Sequence, residues 1–108
     1  MKVLFASRAM GDIQEETVEI RDELQILFKS LSLGLNLKMP VARSISGFPG
    51  LRELRLRDAQ GLVRVFYIQE KGHVFILHLF RKKTQKTPRR EIETAIQRFR
   101  RLREEIYG

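Results

Sequence analysis

Residues Leu51–Phe80 read LRELRLRDAQGLVRVFYIQEKGHVFILHLF, and this run decides the architecture. Leu51–Arg57 alternates as an extended chain does. Leu54 and Leu56 fall on one side, Glu53, Arg55 and Arg57 on the other. Asp58–Gly61 has the composition of a turn. Leu62–Gln69 is rich in β-branched and aromatic residues, as a strand should be. Glu70, Lys71 and Gly72 supply a short hairpin loop, and His73–Phe80 is apolar almost throughout. A strand of that kind is buried on both faces and sits in the middle of its sheet. Strands joined by loops this short predict an antiparallel meander.

Downstream, the apolar strand runs into Arg81, Lys82, Lys83, Lys86, Arg89 and Arg90, with no acidic residue before Glu91. Thr87 and Pro88 then predict a helix start, threonine as N-cap and proline at the first helical position. Ile92, Ala95, Ile96, Phe99, Leu102 and Ile106 recur at helical spacing and give that helix one apolar side.

Upstream, Ile13, Thr17, Ile20, Leu24, Leu27, Phe28 and Leu31 make one helical face. Asp12 and Glu15 resemble a capping box, and Gly34 is a natural stop. The expected helix runs from Ile13 to Leu33, either unbroken or bent between an acidic first half and an apolar second half. Lys2–Ala6 is expected to be a further strand. Asn36–Gly50 is punctuated by Pro40, Gly47, Pro49 and Gly50 and is read as a connection. The expected class is therefore α+β. It is a small antiparallel sheet of roughly three to four strands, with N-terminal helix or helices on one face and a C-terminal helix. All 108 residues fit one domain.

The formal charge of +8 and a pI near 10.4 point to an anionic partner, nucleic acid first. With no cysteine there is no thiol nucleophile, disulfide or thiolate metal site. The two histidines, His73 and His78, are too few for an ordinary zinc site. No run is long and apolar enough for a membrane span or a signal peptide, so a soluble cytoplasmic protein with no membrane partner is expected. No phosphate-binding glycine loop, HExxH or GxSxG is present, and neither metal nor cofactor is expected.

Arg55 and Arg57 share a strand face, and Arg64 lies between Val63 and Val65 in the next strand. A charge there is costly unless it is paired or faces a cleft. Salt bridges with Glu53 or Asp58 are one reading. The other is a set of cations, joined by Arg81, Lys82, Lys83 and Lys86, that grips phosphate and stabilises charge developing on it. His78, inside an apolar strand, is either a satisfied core residue or a proton-transfer group.

The run from Leu51 to Phe99, and LFRKKTQKTPRREIETA (Leu79–Ala95) above all, resembles the HigB branch of the RelE-like toxins, also described as phage-derived host-killing-type proteins. The resemblance covers about Leu24 to Phe99. It implies a small antiparallel sheet with N-terminal helices on one face. It also implies a metal-independent endoribonuclease that cleaves mRNA in the ribosomal decoding site, the RNA's own 2′-hydroxyl attacking the neighbouring phosphate. By position, Arg55 and Arg57 match basic strand positions, and Arg64 matches the arginine of the RVFY-type strand. Arg81, Lys82, Lys83 and Lys86 fall in the basic terminal-strand region. The implied catalytic residues are Arg64, Arg55, Lys83 and His78; the implied RNA contacts are Arg57, Arg81, Lys82 and Lys86. Two departures stand out. Glu53 occupies a position where some relatives carry lysine, and no tyrosine or histidine after Arg81 matches the one that acts near the C-terminus of some toxins. Proton transfer then falls to Lys83, Lys86 or His78. The implied partner is a HigA-like helix-turn-helix antitoxin. The alternative is a non-catalytic protein, a basic RNA-binding module or a degenerate toxin that only binds its antitoxin.

Overall fold

The order of elements in the computed structural model is β1 (Lys2–Phe5), α1 (Ser7–Gln14), α2 (Val18–Ser32), β2 (Ala42–Ser44), β3 (Leu51–Asp58), β4 (Gly61–Glu70), β5 (His73–Lys82) and α3 (Arg89–Tyr107). The structure describes residues 1–82 and 88–108, with the side chain of Lys82 excepted. The strands form one sheet in the order β1-β5-β4-β3-β2. The expected meander is its centre, β3, β4 and β5 pairing antiparallel in succession. Two features differ from expectation. β1 pairs with β5 in parallel, so the sheet is mixed, and β2 adds a fifth strand from within the segment read as a connection. At only Ala42–Ser44, β2 is too short to show an alternation in the sequence.

Both hairpins follow from local chemistry. Lys71 (φ 49°) and Gly72 (φ 78°) lie in the left-handed region that a tight two-residue hairpin needs. At the β3–β4 turn, Asp58 Oδ1 accepts from the Gln60 backbone N–H at 2.9 Å.

Of the two forms expected for the N-terminal segment, one helix or two, the structure has two, broken before rather than within the stretch from Val18 to Ser32. Asp12 lies inside α1 rather than capping it, and the break falls at Glu15–Thr17. Thr17 caps α2, its hydroxyl accepting from Ile20 N at 3.3 Å and donating to Asp58 Oδ2 at 2.9 Å. Gly34 ends α2 as expected, in a left-handed turn where Gly34 N bonds Leu31 O and Leu35 N bonds Ser30 O. For α3 the cap differs by one place: Pro88 is the N-cap residue, and Thr87 lies outside the described residues.

Helices cover both faces of the sheet. Ile13 of α1 and Ile20, Leu24, Leu27 and Leu31 of α2 pack on Leu54, Leu56, Val63, Val65, Tyr67 and Ile76. On the opposite face, Ala95 and Phe99 of α3 pack on Leu51, Phe66, Phe75, Leu77 and Phe80. β5, lying between β1 and β4, is thus buried from both sides, as its unbroken apolar sequence requires. Between Phe66 and Tyr67 the β4–β5 register slips: Phe66 faces His78 while Tyr67 faces Ile76. Leu77 is the extra residue of a β-bulge. Among the described residues no helix is long and apolar enough to cross a membrane.

Candidate nucleic-acid site

The cations of β2, β3 and β4 converge on the face of the sheet that carries α3. Arg55 on β3 lies directly across from Arg64 on β4, and Arg64 across from Phe80 on β5. Glu53 lies across from Arg43 on one side and Phe66 on the other. By the alternation of β3, Glu53, Arg55 and Arg57 share this face, while Leu54 and Leu56 pack under the N-terminal helices.

Arg64 and Glu53 are both fully buried, at 0% exposure. Arg64 Nη1 donates to Glu53 Oε1, and the same oxygen accepts from Arg43 Nε at 3.1 Å. The salt-bridge reading of Arg64 is therefore correct as far as it goes. It leaves two nitrogens unaccounted for: among the described residues, Nε and Nη2 of Arg64 are buried without a hydrogen-bond partner, as is Nε of Arg55. Buried donors left empty are rare, because each forfeits its hydration and gets nothing back. Nε and Nη2 form the side-on edge of a guanidinium, whose parallel N–H groups match two oxygens of a phosphate.

Like charge accumulates around that edge. Burial first, then the charges of Arg64 and Arg43, hold the Arg55 guanidinium below its ordinary pKa; Glu53 opposes them and Arg57 adds to them. Arg55 and Arg57 also line an open groove of about 340 Å³ with Pro40, Val41, Leu62 and Glu23. Arg57 is exposed and Arg55 partly so. The sequence reading missed Arg43, because nothing local distinguishes an arginine in so short a strand.

Other expected site residues are placed elsewhere. Arg81 lies on the opposite face, where Nη1 meets Asp58 Oδ1 at 3.0 Å and Nη2 meets Glu16 Oε1 at 2.6 Å and Asp58 Oδ2 at 2.9 Å. Hydrogen bonds from Arg81, then Thr17 and the Gln60 amide, hold the Asp58 carboxyl well below the usual carboxylate range; the same contacts raise Arg81 above its own. Arg81, expected from the sequence as an RNA contact, thus ties the α1–α2 corner to the β3–β4 turn on the face away from Arg64 and Arg55. Lys83 and Lys86, and the side chain of Lys82, lie outside the described residues.

His78, 8% exposed, faces α3. Its Nε2 lies 3.2 Å from Glu91 Oε1, and Arg98 Nη1 lies 3.1 Å from its Nδ1. A guanidinium only donates, so Nδ1 is the acceptor and Nε2 carries the proton to Glu91. With both ring nitrogens engaged, His78 holds α3 to β5. Burial lowers its pKa from 6.5, against the opposing pull of Glu91. The unfolded chain then binds that proton more readily than the folded one. Stability attached to His78 is complete above 6.5 and declines as pH falls below it. His78→Gln, which keeps a donor and an acceptor but does not titrate, is expected to flatten the fall in melting temperature between about pH 7 and pH 5. Parallel wild-type and variant curves would remove this role.

Among the described residues, no group of three or more His, Asp or Glu side chains is arranged to hold a metal ion.

A family model described as "Phage derived protein Gp49-like (DUF891)" matches residues 12–100. No curated protein matches the chain. Among solved structures, the crystal structure of the isolated E. coli RelE toxin, P21 form, superposes with a TM-score of 0.59 at 15% identity, covering 91% of this chain and 97% of that one. At that identity the likeness is one of fold. The RelE-like α+β architecture expected from the sequence is present, with five strands.

Proposed function

This chain belongs to the Gp49-like family of phage-derived proteins, and from that premise we propose that it is the toxin of a type II toxin–antitoxin module, an endoribonuclease acting on mRNA in the ribosomal decoding site. The observation that carries the reading is the empty Nε/Nη2 edge of Arg64 beside Arg55. The RelE-like fold and the HigB-like motif support it.

In the proposed reaction the RNA 2′-oxygen attacks the adjacent phosphorus and the bond to the 5′-oxygen breaks. The products are a 2′,3′-cyclic phosphate and a 5′-hydroxyl. Charge grows on the non-bridging oxygens in the transition state, where the Arg64 fork and Arg55 meet it. Shielded from water, a guanidinium acts on such charge with far more force than at a surface. Because Arg64 is closed to solvent in the free chain, the atoms covering it move aside as RNA binds. Arg57 holds a flanking phosphate. With His78 engaged elsewhere, Lys83 and Lys86 are left as the proton-transfer candidates of the sequence reading. The proposed partner that silences the toxin is a HigA-like helix-turn-helix antitoxin, and the proposed compartment is the cytoplasm.

Induction of the chain in a bacterial host is the direct test. Growth arrest with new mRNA 5′ ends inside translated codons is expected, and a host that grows normally with unchanged mRNA ends refutes the reading. Arg57→Ala is expected to leave the fold intact and weaken RNA binding uniformly across sequences. The slope of log affinity against log salt should fall by about one. An unchanged slope would take Arg57 out of the interface.

A further inference from the structure

Resting on that reading of the site, we infer that Glu53 is a positioning residue: it fixes the plane of the Arg64 guanidinium through Nη1 and so keeps the Nε/Nη2 fork open for an RNA phosphate, with Arg43 bracing the carboxylate from β2. A carboxylate beside a free arginine tends to take two parallel N–H bonds and so consume the fork. Here the contact runs to Nη1, while Nε and Nη2 have no hydrogen-bond partner among the described residues. The side-on edge, which suits a tetrahedral oxyanion, is the edge left over.

Three placements produce this outcome. Glu53 is set two pairs away from Arg64 along the β3–β4 ladder, the next pair on the same face, since Arg64 lies opposite Arg55 and Glu53 opposite Phe66. The carboxylate therefore approaches along the ladder rather than straight across it. Arg43 Nε holds the same Oε1 at 3.1 Å from the neighbouring strand. The β2–β3 register puts Arg43 opposite Glu53, giving the short strand β2 a purpose in the site. Burial of both Glu53 and Arg64 at 0% exposure leaves neither side chain room to swing. The single negative charge also offsets repulsion among Arg43, Arg55, Arg57 and Arg64, without which a buried guanidinium is strongly disfavoured. As acceptor for two guanidiniums, Glu53 orients the cation that meets the phosphate; it does not serve as the base.

Glu53→Asp keeps the charge but draws the carboxylate back by one methylene. The test compares wild type, Glu53→Asp, Arg64→Lys and the double variant in single-turnover cleavage of an mRNA on programmed ribosomes, with a melting curve for each protein. Glu53→Asp is expected to lower the saturating rate on the order of 10- to 100-fold. The half-saturating concentration should stay near wild type, and the pH profile should keep its shape. The double variant should be no slower than Arg64→Lys alone, since one residue acts through the other. Losses that multiply, a Glu53→Asp rate equal to wild type, or loss of the acidic limb of the profile would each overturn the inference, the last by making Glu53 the base. If Glu53→Asp melts below the assay temperature, Arg43→Lys should show the same pattern to a smaller degree, and its absence counts against the inference equally.

A second readout separates this inference from the activity. In the arginine side-chain ¹⁵N spectrum, the Arg64 Nε–H signal is expected to shift when wild type is titrated with 2′-O-methyl RNA, and to stay put in Glu53→Asp. That result in a protein that cleaves nothing would refute the nuclease while sustaining the positioning role. The same shift in both proteins, or none in either, would end it.

Discussion

Arg64→Ala is expected to abolish most mRNA cleavage, slowing it on the order of 10²- to 10³-fold, the usual cost of removing one transition-state donor. The substitution also strips a buried carboxylate of one of its guanidiniums, since Glu53 is held by Arg64 and Arg43 together. Some loss of stability must follow. Arg64→Lys separates the two effects. It retains a cation beside Glu53 but has no planar fork, so it should restore much of the lost stability and little of the lost rate. The measurements are cleavage on programmed ribosomes and a urea denaturation curve for each variant. Cleavage by Arg64→Ala at the wild-type rate would remove Arg64 from the chemistry. Full activity in Arg64→Lys would reduce it to a point charge and take away the significance of its fork.

The largest effect on stability is expected at Phe99. It is 1% exposed and packs edge-on against Phe75 (5.3 Å between centroids) and Phe48 (5.8 Å), with the Arg103 guanidinium 4.8 Å over its ring. These contacts dock α3 on the sheet and clamp the loop carrying Phe48 beside it. Phe99→Ala is expected to cost about 3–5 kcal/mol, a large share of the roughly 5–15 kcal/mol a small domain has in total. The denaturation midpoint should drop with the slope unchanged. A loss of less than about 1 kcal/mol would mean that α3 is not cooperative with the sheet. Because Glu91 and Arg98 reach His78 from the same helix, loosening α3 should also weaken the pH dependence expected of that histidine.

Much of this could be read from residue order alone. The alternation of Leu54 and Leu56 against Glu53, Arg55 and Arg57 assigned the two faces of β3, and the structure keeps that assignment. The turn residues at Asp58–Gly61 and Lys71–Gly72 and the Gly34 stop are local events, decided by backbone preference within a few residues. The break between α1 and α2 was less legible. Thr17 lies on the apolar helical period, and only its contact with Asp58, far along the chain, makes it a cap. Arg43 and β2 were hidden for a similar reason: a strand this short exists because β3 is there to pair with it.

What residue order determined, then, is a meander with a basic face, helices to cover it, and a buried arginine in β4 that needs an anion. What the tertiary structure decided is which cations join that arginine. Simple alternation along β5 from Phe75 would turn Arg81 toward Arg64 and His78 away from α3. The bulge at Leu77 reverses the parity beyond it, because one inserted residue exchanges the two faces of everything that follows. Arg81 therefore meets Asp58 and Glu16 under the N-terminal helices, and His78 meets Glu91 and Arg98 of α3. Among the described residues, the cations left with Arg64 are Arg43, Arg55 and Arg57. A slip of one residue in strand pairing has no signature in the sequence of either strand, since both registers satisfy local preference. Only the packing of the two helical layers against opposite faces selects between them.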